Sequence, residues 1–380
     1  MIYLDHAATT PICEAAKKAI IEHLDDFGNP SSSHELGHKA LMLIEDARER
    51  IAKCINAEPD EIYFTSGGSE ANNWVMNFAV GHHIFVSAIE HHSILNHPVF
   101  KRYGEVIPCY KNGEIDYELL YDKFDKLPIN SKKFVSCMRV NNEIGTVQAV
   151  EDIADIVHEY KGIFHTDAVQ GMYNMPAFIE DGDIIDMMSA SAHKFGGLKG
   201  SGFLYVKRNI EITPLIYGGK QENNKRAGTE NVLGAITMAA SLEDYYNRVE
   251  KRNKHVRTLR DKLIFELLKI PGVYLNGIND NPGEDNYYRE YGNINIRIDG
   301  VKGEDVVSMC DQYGICISAG SACNEGNAEP SHVLKAIGLT DEQALSSIRI
   351  TLGHENTMDE IYYVCEMLPK IIKRLREINT

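Results

Sequence analysis

The stretch Ser191–Gly200, with the sequence SAHKFGGLKG, decides how this chain is to be interpreted. It places Lys194 directly after His193 and shortly before a Gly-Gly pair. The apolar run Asp183–Ser189 precedes it, and the apolar run Phe203–Val206 follows. This pattern predicts that Lys194 lies on a tight turn between two buried strands.

A lysine that points into a cleft has a specific chemical use. Desolvation lowers its pKa, and the free amine can condense with an aldehyde to form a Schiff base. Pyridoxal phosphate (PLP) is the aldehyde cofactor that uses such a lysine. Taken alone, the stretch fits a surface lysine on a glycine-rich loop better, because lysines are mostly exposed. The remaining motifs must therefore decide between the two interpretations.

Composition limits the class of protein. A chain of 380 residues is long enough for a large and a small domain, and 43% hydrophobic with 25% charged residues is ordinary for a soluble globular protein. The formal net charge of −16 argues against nucleic-acid and anionic-membrane binding. The sequence contains neither an apolar run of about 18 residues nor a signal-peptide pattern, so we expect a cytoplasmic protein without a membrane partner.

Eight cysteines are scattered along the chain. None of them forms a CxxC pair, so the sequence predicts neither a zinc site nor a disulfide framework. In a reducing compartment most of them should be small buried hydrophobic residues.

Strands alternate with helices through the first half of the chain. This order predicts a mostly parallel sheet with right-handed crossovers. Polar residues follow the ends of five strands, and ligands bind at that edge of an open α/β sheet. The predicted strands are Glu61–Thr65, His82–Ser87, Gly104–Cys109, Phe134–Met138 and Ile163–Thr166.

The first predicted strand runs into Ser66-Gly-Gly-Ser69-Glu70 and then into a helix. A strand, a glycine turn and a helix N-terminus can hold a phosphate with backbone N–H groups and the helix dipole. The segment lacks the GxGxxG and Walker patterns, which disfavours a dinucleotide or a nucleoside triphosphate. A tight turn without a ligand fits this segment equally well, because glycine is common wherever a turn needs positive φ.

The second half of the chain begins with a helical pattern over Glu230–Ile270, and Met358–Ile378 reads as a final helix. Between them, Ser318–Pro330 is rich in small and polar residues and predicts an exposed mobile loop. Cys323 lies near its middle, and the flanking Gly320 and Gly326 could act as hinges.

Eight motifs together resemble the cysteine desulfurases of the NifS/IscS type, from LDHAATT near the start to the last helix. They are SAHKFGGLKG, TSGGSEANN, EHHSIL, VNNEIGTVQ, HTDAVQ, RAGTEN, SAGSACNEGNAEPSHVL and SSIRITLG. The resemblance implies a fold type I PLP enzyme that works as a homodimer and converts L-cysteine to alanine. It also implies an α/β large domain, residues 13–255, with a mostly parallel seven-stranded sheet. A smaller α+β domain, residues 1–12 and 256–380, would carry the cysteine loop 318–330.

The same resemblance implies the catalytic roles. Lys194 would form the Schiff base and move the Cα proton, and Asp167 would pair with the pyridine nitrogen of PLP. Gln170 would donate to the 3-oxygen of the ring, and His91, in preference to its neighbour His92, would stack on the ring face. Cys323 would take the sulfur as a persulfide, for which it must be a thiolate.

The remaining implied contacts concern the phosphate and the substrate. Thr229 would reach the phosphate from the other subunit, Asn142 would lie near cofactor and substrate, and Arg349 would hold the substrate carboxylate, a task that suits a planar guanidinium. The phosphate contacts within one chain would be Gly68, Ser69, Ser191 and His193. The chain departs from the family pattern at Leu198, where proline is usual, and at Ser69, where threonine is usual.

Rival interpretations share the fold. Selenocysteine lyases, epimerases and other aminotransferase-type enzymes are one class, from which Cys323 distinguishes this chain because transamination needs no such thiol. A catalytically idle scaffold is another, and the complete catalytic set argues against it. The sulfur acceptor would be an iron–sulfur scaffold protein, a tRNA-thiolation enzyme or another carrier. We expect no metal site apart from a transient iron–sulfur contact at Cys323.

Overall fold

The computed structural model describes residues 1–128, 130–174, 184–278, 288–319, 321–324 and 327–378. Its strands are β1 (Ile2–Tyr3), β2 (Ile62–Thr65), β3 (His83–Ser87), β4 (Gly104–Ile107), β5 (Lys133–Ser136), β6 (Ile163–Asp167), β7 (Met187–Ser191), β8 (Gly202–Val206), β9 (Val273–Leu275), β10 (Asn293–Ile298), β11 (Ile315–Cys316), β12 (Ser318–Ala319), β13 (Ser321–Asn324), β14 (Asn327–Pro330) and β15 (Ser347–Thr351). Its helices are α1 (Glu14–His23), α2 (Glu35–Ile55), α3 (Gly68–Phe78), α4 (His92–Leu95), α5 (Pro98–Tyr103), α6 (Tyr117–Asp125), α7 (Val150–Glu159), α8 (Gly171–Asn174), α9 (Gln221–Asn224), α10 (Val232–Tyr246), α11 (Val249–Leu267), α12 (Gly303–Gln312), α13 (His332–Ala336), α14 (Asp341–Leu345) and α15 (Met358–Ile378).

The central sheet has seven strands in the order β2-β8-β7-β6-β5-β3-β4. Strands β7, β6, β5, β3 and β4 are parallel to one another, whereas β8 is antiparallel to both β2 and β7. The reversal has a local cause, because the short segment that carries Lys194 returns the chain directly beside β7 without a crossover. The predicted mostly parallel seven-stranded sheet is confirmed.

Successive side chains of each strand point to opposite faces of the sheet, so the strands contribute to two hydrophobic layers. In β3, Phe85 packs with residues of α2, α6, α7 and α10 on one face. Its neighbours Ile84 and Val86 pack on the other face with residues of α3 and α5, among them the buried Trp74. Because helices cover both faces of the sheet, a ligand can reach it at the ends of the strands.

A second hydrophobic core surrounds an antiparallel sheet with the order β12-β15-β10-β9. Helices α11, α12 and α15 pack on it, and Leu4 joins it from the start of the chain. The other buried members lie between Val256 and Leu375, whereas those of the first core lie between Ile44 and Tyr245. This membership supports the domain division at residues 12/13 and 255/256, which remains a prediction.

The helical pattern over Glu230–Ile270 corresponds to two helices, α10 and α11. Helix α10 ends at Tyr246, and Arg248 before α11 has a non-helical backbone, with φ −130° and ψ 11°. Asp244 pairs with Arg248 and with Arg252 at 2.8 and 2.7 Å, so one carboxylate ties together the two sides of the break. No helix within the described ranges is long and apolar enough to cross a membrane.

The segment Ser318–Pro330, for which we expect an exposed mobile loop, contains strands that the sequence does not predict. β12 pairs with β15, and β13 pairs with β14 in a two-stranded antiparallel ladder. Small polar residues supply no hydrophobic alternation, so the sequence pattern gave no strand signal there, although their backbone groups can still pair. The proposed hinges Gly320 and Gly326 lie outside the described residues, as do Asp183 and the side chain of Cys323.

A buried ion pair fixes α9 against the first core. Arg48 of α2 makes a bidentate contact with Glu222, at 2.9 and 2.8 Å, and Glu222 also accepts the Phe64 N–H at 2.9 Å. Glu222 and the following Asn223 have left-handed backbones, with φ of 47° and 55°. Residues other than glycine rarely adopt this conformation, so the side-chain contacts of Glu222 stabilise a turn that the backbone alone disfavours.

We therefore predict that Glu222→Gln lowers the free energy of unfolding by about 3 kcal/mol, because it removes the bidentate carboxylate from the buried Arg48 and leaves that charge only the longer contact with Glu45 at 3.3 Å. Urea unfolding followed by fluorescence measures this, since Trp74 is buried and is the only tryptophan of the chain. Glu14→Gln, which breaks the exposed contact with Lys17, is the matched control and should change nothing measurable. Equal effects of the two substitutions would contradict the prediction.

Candidate active site

Nine of the predicted site residues line one cavity of about 190 Å³ at the ends of the central strands. Asp167 ends β6 and Ser191 ends β7, while His91 and Asn142 follow β3 and β5. The sheet topology therefore brings together side chains that are far apart in sequence. The nine residues are Gly68, Ser69, His91, Asn142, Asp167, Gln170, Ser191, His193 and Lys194.

One end of the cavity suits an anion. Helix α3 begins at Gly68, and no side chain caps its N-terminus. A Cβ on Gly68 would lie 2.4 Å from Cγ2 of Val169, so only glycine allows this close approach. Ser69 and Ser191, which both carry a hydroxyl group, line the same cavity. The positive end of the helix dipole and these donors together fit a phosphate group.

Lys194 is the last residue of the 3₁₀ turn Ala192–Lys194, which directly follows β7. Its Nζ donates to the carbonyl oxygens of Ala7, at 2.5 Å, and Ala8, at 2.9 Å. Burial, followed by the positive charge of Arg349, lowers its pKa to about 8. The amine is therefore much closer to its neutral, nucleophilic form at neutral pH than an ordinary lysine is.

The N-terminal segment that supplies these carbonyl groups crosses the site. Gln170 also donates to the Ala7 carbonyl, at 2.8 Å, and Thr9 Oγ1 lies 3.1 Å from Nδ1 of His193. Thr10 Oγ1 donates to the His193 carbonyl and accepts the Gly196 N–H, both at 2.9 Å. We assigned no role to this segment from the sequence, because backbone acceptors leave no signature in residue type.

Asp167 is buried and anchors a polar network. Its Oδ1 accepts the Val169 N–H at 2.9 Å, and its Oδ2 accepts Nδ2 of Asn72 at 2.6 Å. Asn72 Nδ2 also donates to Oγ of Ser93, at 2.9 Å, and this oxygen lies 2.8 Å from Nδ1 of His91. Asn72 was missed from the sequence. Its position four residues after Gly68 in a helix was the available signal, since such residues share a face.

The tautomer of His91 follows from these contacts. Its Nδ1 accepts the backbone N–H of Ser93 at 3.1 Å, so in the neutral ring the proton is on Nε2. The surrounding walls of the cleft partly desolvate the imidazole of His91, which lowers its pKa. The side chain is nevertheless exposed to the cleft. A neutral imidazole can stack on an aromatic ring. His92 does not line the cavity and instead lies 3.1 Å from His332.

Arg349 lies in β15 and contacts Asn142, which lines the cavity. It pairs with Oδ1 of Asp5 at 2.8 Å and donates to the Asn142 carbonyl at 3.2 Å. Its buried Nε has no hydrogen-bond partner among the described residues. An unpaired buried donor is costly, and a carboxylate is a suitable partner for it. The contact with Asp5 was not foreseen from the sequence.

The two remaining predicted site residues are Thr229 and Cys323. Thr229 is exposed and lines a separate cavity of about 170 Å³. The backbone of Cys323 lies in β13, opposite Ala328 of β14, and its side chain lies outside the described part of the structure. Their roles remain predictions.

Six other cysteines are poor candidates for a nucleophile. Burial raises the pKa of each thiol, which disfavours the thiolate that nucleophilic attack requires. These are Cys13, Cys54, Cys109, Cys137, Cys310 and Cys365.

Comparisons with known proteins agree with this geometry. Residues 2–364 match the family model of class V aminotransferases. The chain is 41% identical to the cysteine desulfurase IscS of Dictyoglomus turgidum and 38% identical to that of Methanosarcina thermophila. These alignments cover 100% of this chain and 96% and 93% of the two relatives. The solved structure of a NifS-like protein from Rickettsia africae superposes with a TM-score of 0.90 at 35% identity, covering 98% of this chain and 99% of the other.

The chain belongs to the class V aminotransferases, among the cysteine desulfurases of the NifS/IscS type. Enzymes of this family depend on PLP. The cavity fits that cofactor on its own evidence: an uncapped helix N-terminus for the phosphate, the Asp167 carboxylate for a protonated ring nitrogen, and the Lys194 amine for the aldehyde. The predicted fold class is confirmed.

Proposed function

We propose that this protein is a cysteine desulfurase that takes the sulfur atom from L-cysteine, releases L-alanine and carries the sulfur as a persulfide on Cys323. One observation carries the proposal most. A desolvated lysine, a buried carboxylate and an open imidazole meet in a single cavity with an anion site, in a chain whose relatives are named cysteine desulfurases. Those names also favour cysteine over selenocysteine as the substrate.

We infer that PLP is the cofactor of this chain. Gly68, Ser69, Ser191 and His193 would hold its phosphate, and Gln170 would donate to its 3-oxygen once released from the Ala7 carbonyl. When bound, PLP supplies an aldehyde for the amine and a ring that accepts an electron pair from the substrate. Lys194 would be the residue that attaches it.

Side chains of the protein would bind the substrate and move the Cα proton. The Arg349 guanidinium would bind the substrate carboxylate while it keeps its ion pair with Asp5. Asn142 would line the part of the cavity that holds the substrate. The Lys194 amine, released from the carbonyl groups of Ala7 and Ala8, would take the Cα proton and return it.

Sulfur transfer requires Cys323. Its thiolate would attack the sulfur of the bound cysteine, so that an S–S bond forms while the Cβ–S bond breaks and leaves its electron pair on carbon. Protonation of that carbon gives alanine. His91, neutral at neutral pH and open to the cleft, is placed to move protons at this stage.

The persulfide then needs an acceptor. We propose an iron–sulfur scaffold protein or a tRNA-thiolation enzyme in the cytoplasm, which are the acceptors that the family resemblance implies. No cluster of metal-binding side chains occurs in the described ranges. A transient iron–sulfur contact at Cys323 remains a prediction.

We predict that Cys323→Ser abolishes alanine formation from cysteine and leaves cofactor binding intact, because the hydroxyl group cannot accept the sulfur. Alanine is measured by chromatography, and the extra sulfur by mass spectrometry of peptides after a cysteine pulse. Cys316→Ser is the matched control and should keep full turnover. Sulfur found on Cys316 or Cys310, or an active Cys323→Ser enzyme, would contradict the proposal.

We further propose a homodimer with shared sites. Thr229 is exposed, and the segment that leads to it is tied to the first turn of α3 by the contact of Arg226 with Glu70 at 2.9 Å. Phe27 and Tyr217 are 82% and 81% exposed, so apolar side chains are available to a partner. A second copy of the chain is the partner that the family implies, and its Thr229 would contact the phosphate.

Coexpression of Lys194→Ala and Thr229→Ala chains tests this arrangement. Each homodimer should be inactive, whereas a heterodimer contains one site with an intact Lys194 and an intact Thr229 from the other chain. We therefore expect alanine formation to return in the mixture. An active monomer, or a mixture as inactive as the separate variants, would refute the shared site.

A further inference from the structure

A cluster of polar contacts lies beside the cavity, and the reaction described above does not use it. It joins Ser331 and His332, the residues that follow β14, to Glu143, Glu90 and His92 around the cleft. Because β14 is one strand of the hairpin that carries Cys323, this cluster is at the hairpin's C-terminal root.

The hydroxyl group of Ser331 makes three hydrogen bonds, one as donor and two as acceptor. Its Oγ accepts the N–H groups of Val333 and Leu334, at 3.1 and 3.3 Å, and so caps α13. The same hydroxyl donates to Oε2 of Glu143. The Glu143 carbonyl in turn accepts the side-chain amide of Asn295, at 3.1 Å. Ser331 thus ties the root to the loop that follows β5.

His332 ties the root to the loop that carries His91. Its Nε2 donates to the Glu90 carbonyl at 2.9 Å, so in the neutral ring its Nδ1 is an acceptor. The ring nitrogen Nε2 of His92 lies 3.1 Å from that Nδ1 and donates to it. Burial lowers the pKa of both imidazoles, which keeps the pair neutral and the two hydrogen bonds intact at neutral pH.

Apolar packing seats the same root. Val333 and Leu334 of α13 share a hydrophobic cluster with Ile89, from the loop after β3, and with Met138 and Ile144, from the loop after β5. At the other end of the hairpin, Ser318 of β12 pairs with Arg349 of β15. Both ends of the cysteine-bearing segment are therefore attached to elements that line or border the cavity.

We propose that Ser331 and His332 are positioning residues for sulfur transfer, which fix the root of the Cys323 hairpin against the loops that carry His91 and Asn142. The inference rests on the proposed function. Neither residue lines the cavity. Their effect is to limit the positions that the hairpin can reach, so that the thiol is presented to the bound cysteine and not to the rest of the cleft.

The size of the expected effect follows from the sensitivity of reactions to alignment. A displacement of about 1 Å in a reacting group can cost about a hundredfold in rate. His332→Ala removes both imidazole contacts of the root, and we expect the rate of alanine formation from cysteine to fall about tenfold or more. His332→Gln keeps a donor that can reach the Glu90 carbonyl, so it should recover part of the rate.

Two substrates separate positioning from general damage. L-cysteine requires the Cys323 thiol, whereas L-cysteine sulfinate loses its sulfur as sulfur dioxide, with the electron pair left on carbon, and needs no thiol. We expect His332→Ala and Ser331→Ala to slow alanine formation from cysteine and to leave the rate from cysteine sulfinate unchanged. Cys323→Ser is the reference for a pure loss of sulfur transfer, and circular dichroism with cofactor occupancy verifies folding.

A parallel loss with both substrates would overturn the inference, since it would mean that the root supports His91 or the fold. Unchanged rates with both substrates would overturn it equally, because the root contacts would then be dispensable. A wild-type enzyme that forms no alanine from cysteine would instead overturn the proposed function, and this inference with it.

Discussion

The desolvated amine of Lys194 is the constraint on which the rest of the site depends. A lysine held away from water loses part of its preference for the charged form, and its pKa here falls to about 8. The buried position requires the tight return from β7 to β8, and the amine needs acceptors in place of water. The carbonyl groups of Ala7 and Ala8 supply them.

These carbonyl groups come from a segment that belongs to both halves of the molecule. Leu4 is buried in the second core, and a few residues later Thr10 is bonded to the His193 backbone beside the first. Arg349 makes the reverse connection, from β15 of the second core to the cavity of the first. Relative movement of the two cores would therefore change the acceptors of Lys194 and the position of the substrate clamp at the same time.

Much of this could be predicted from the sequence, because the signals were local. Apolar runs around SAHKFGGLKG predicted two strands and a turn, and the strand, glycine turn and helix N-terminus predicted around Ser66–Glu70 are β2 and the start of α3. What was missed depends on contacts between residues distant in sequence. The pair Asp5–Arg349 spans almost the whole chain, and the pairing of β13 with β14 uses backbone groups of residues without strand propensity. Neither leaves a pattern in a short window of sequence.

The central claim is that the fold, before any cofactor binds, sets the reactivity of Lys194. Competitive labelling of amines in the cofactor-free protein, read residue by residue by mass spectrometry across a pH series, tests it directly. The account predicts half-maximal labelling of Lys194 near pH 8. It also predicts an upward shift in Arg349→Leu, which removes a neighbouring positive charge. The exposed Lys17, whose contact with Glu14 raises its pKa, should titrate at higher pH in both proteins. A Lys194 that titrates together with Lys17 would contradict the account.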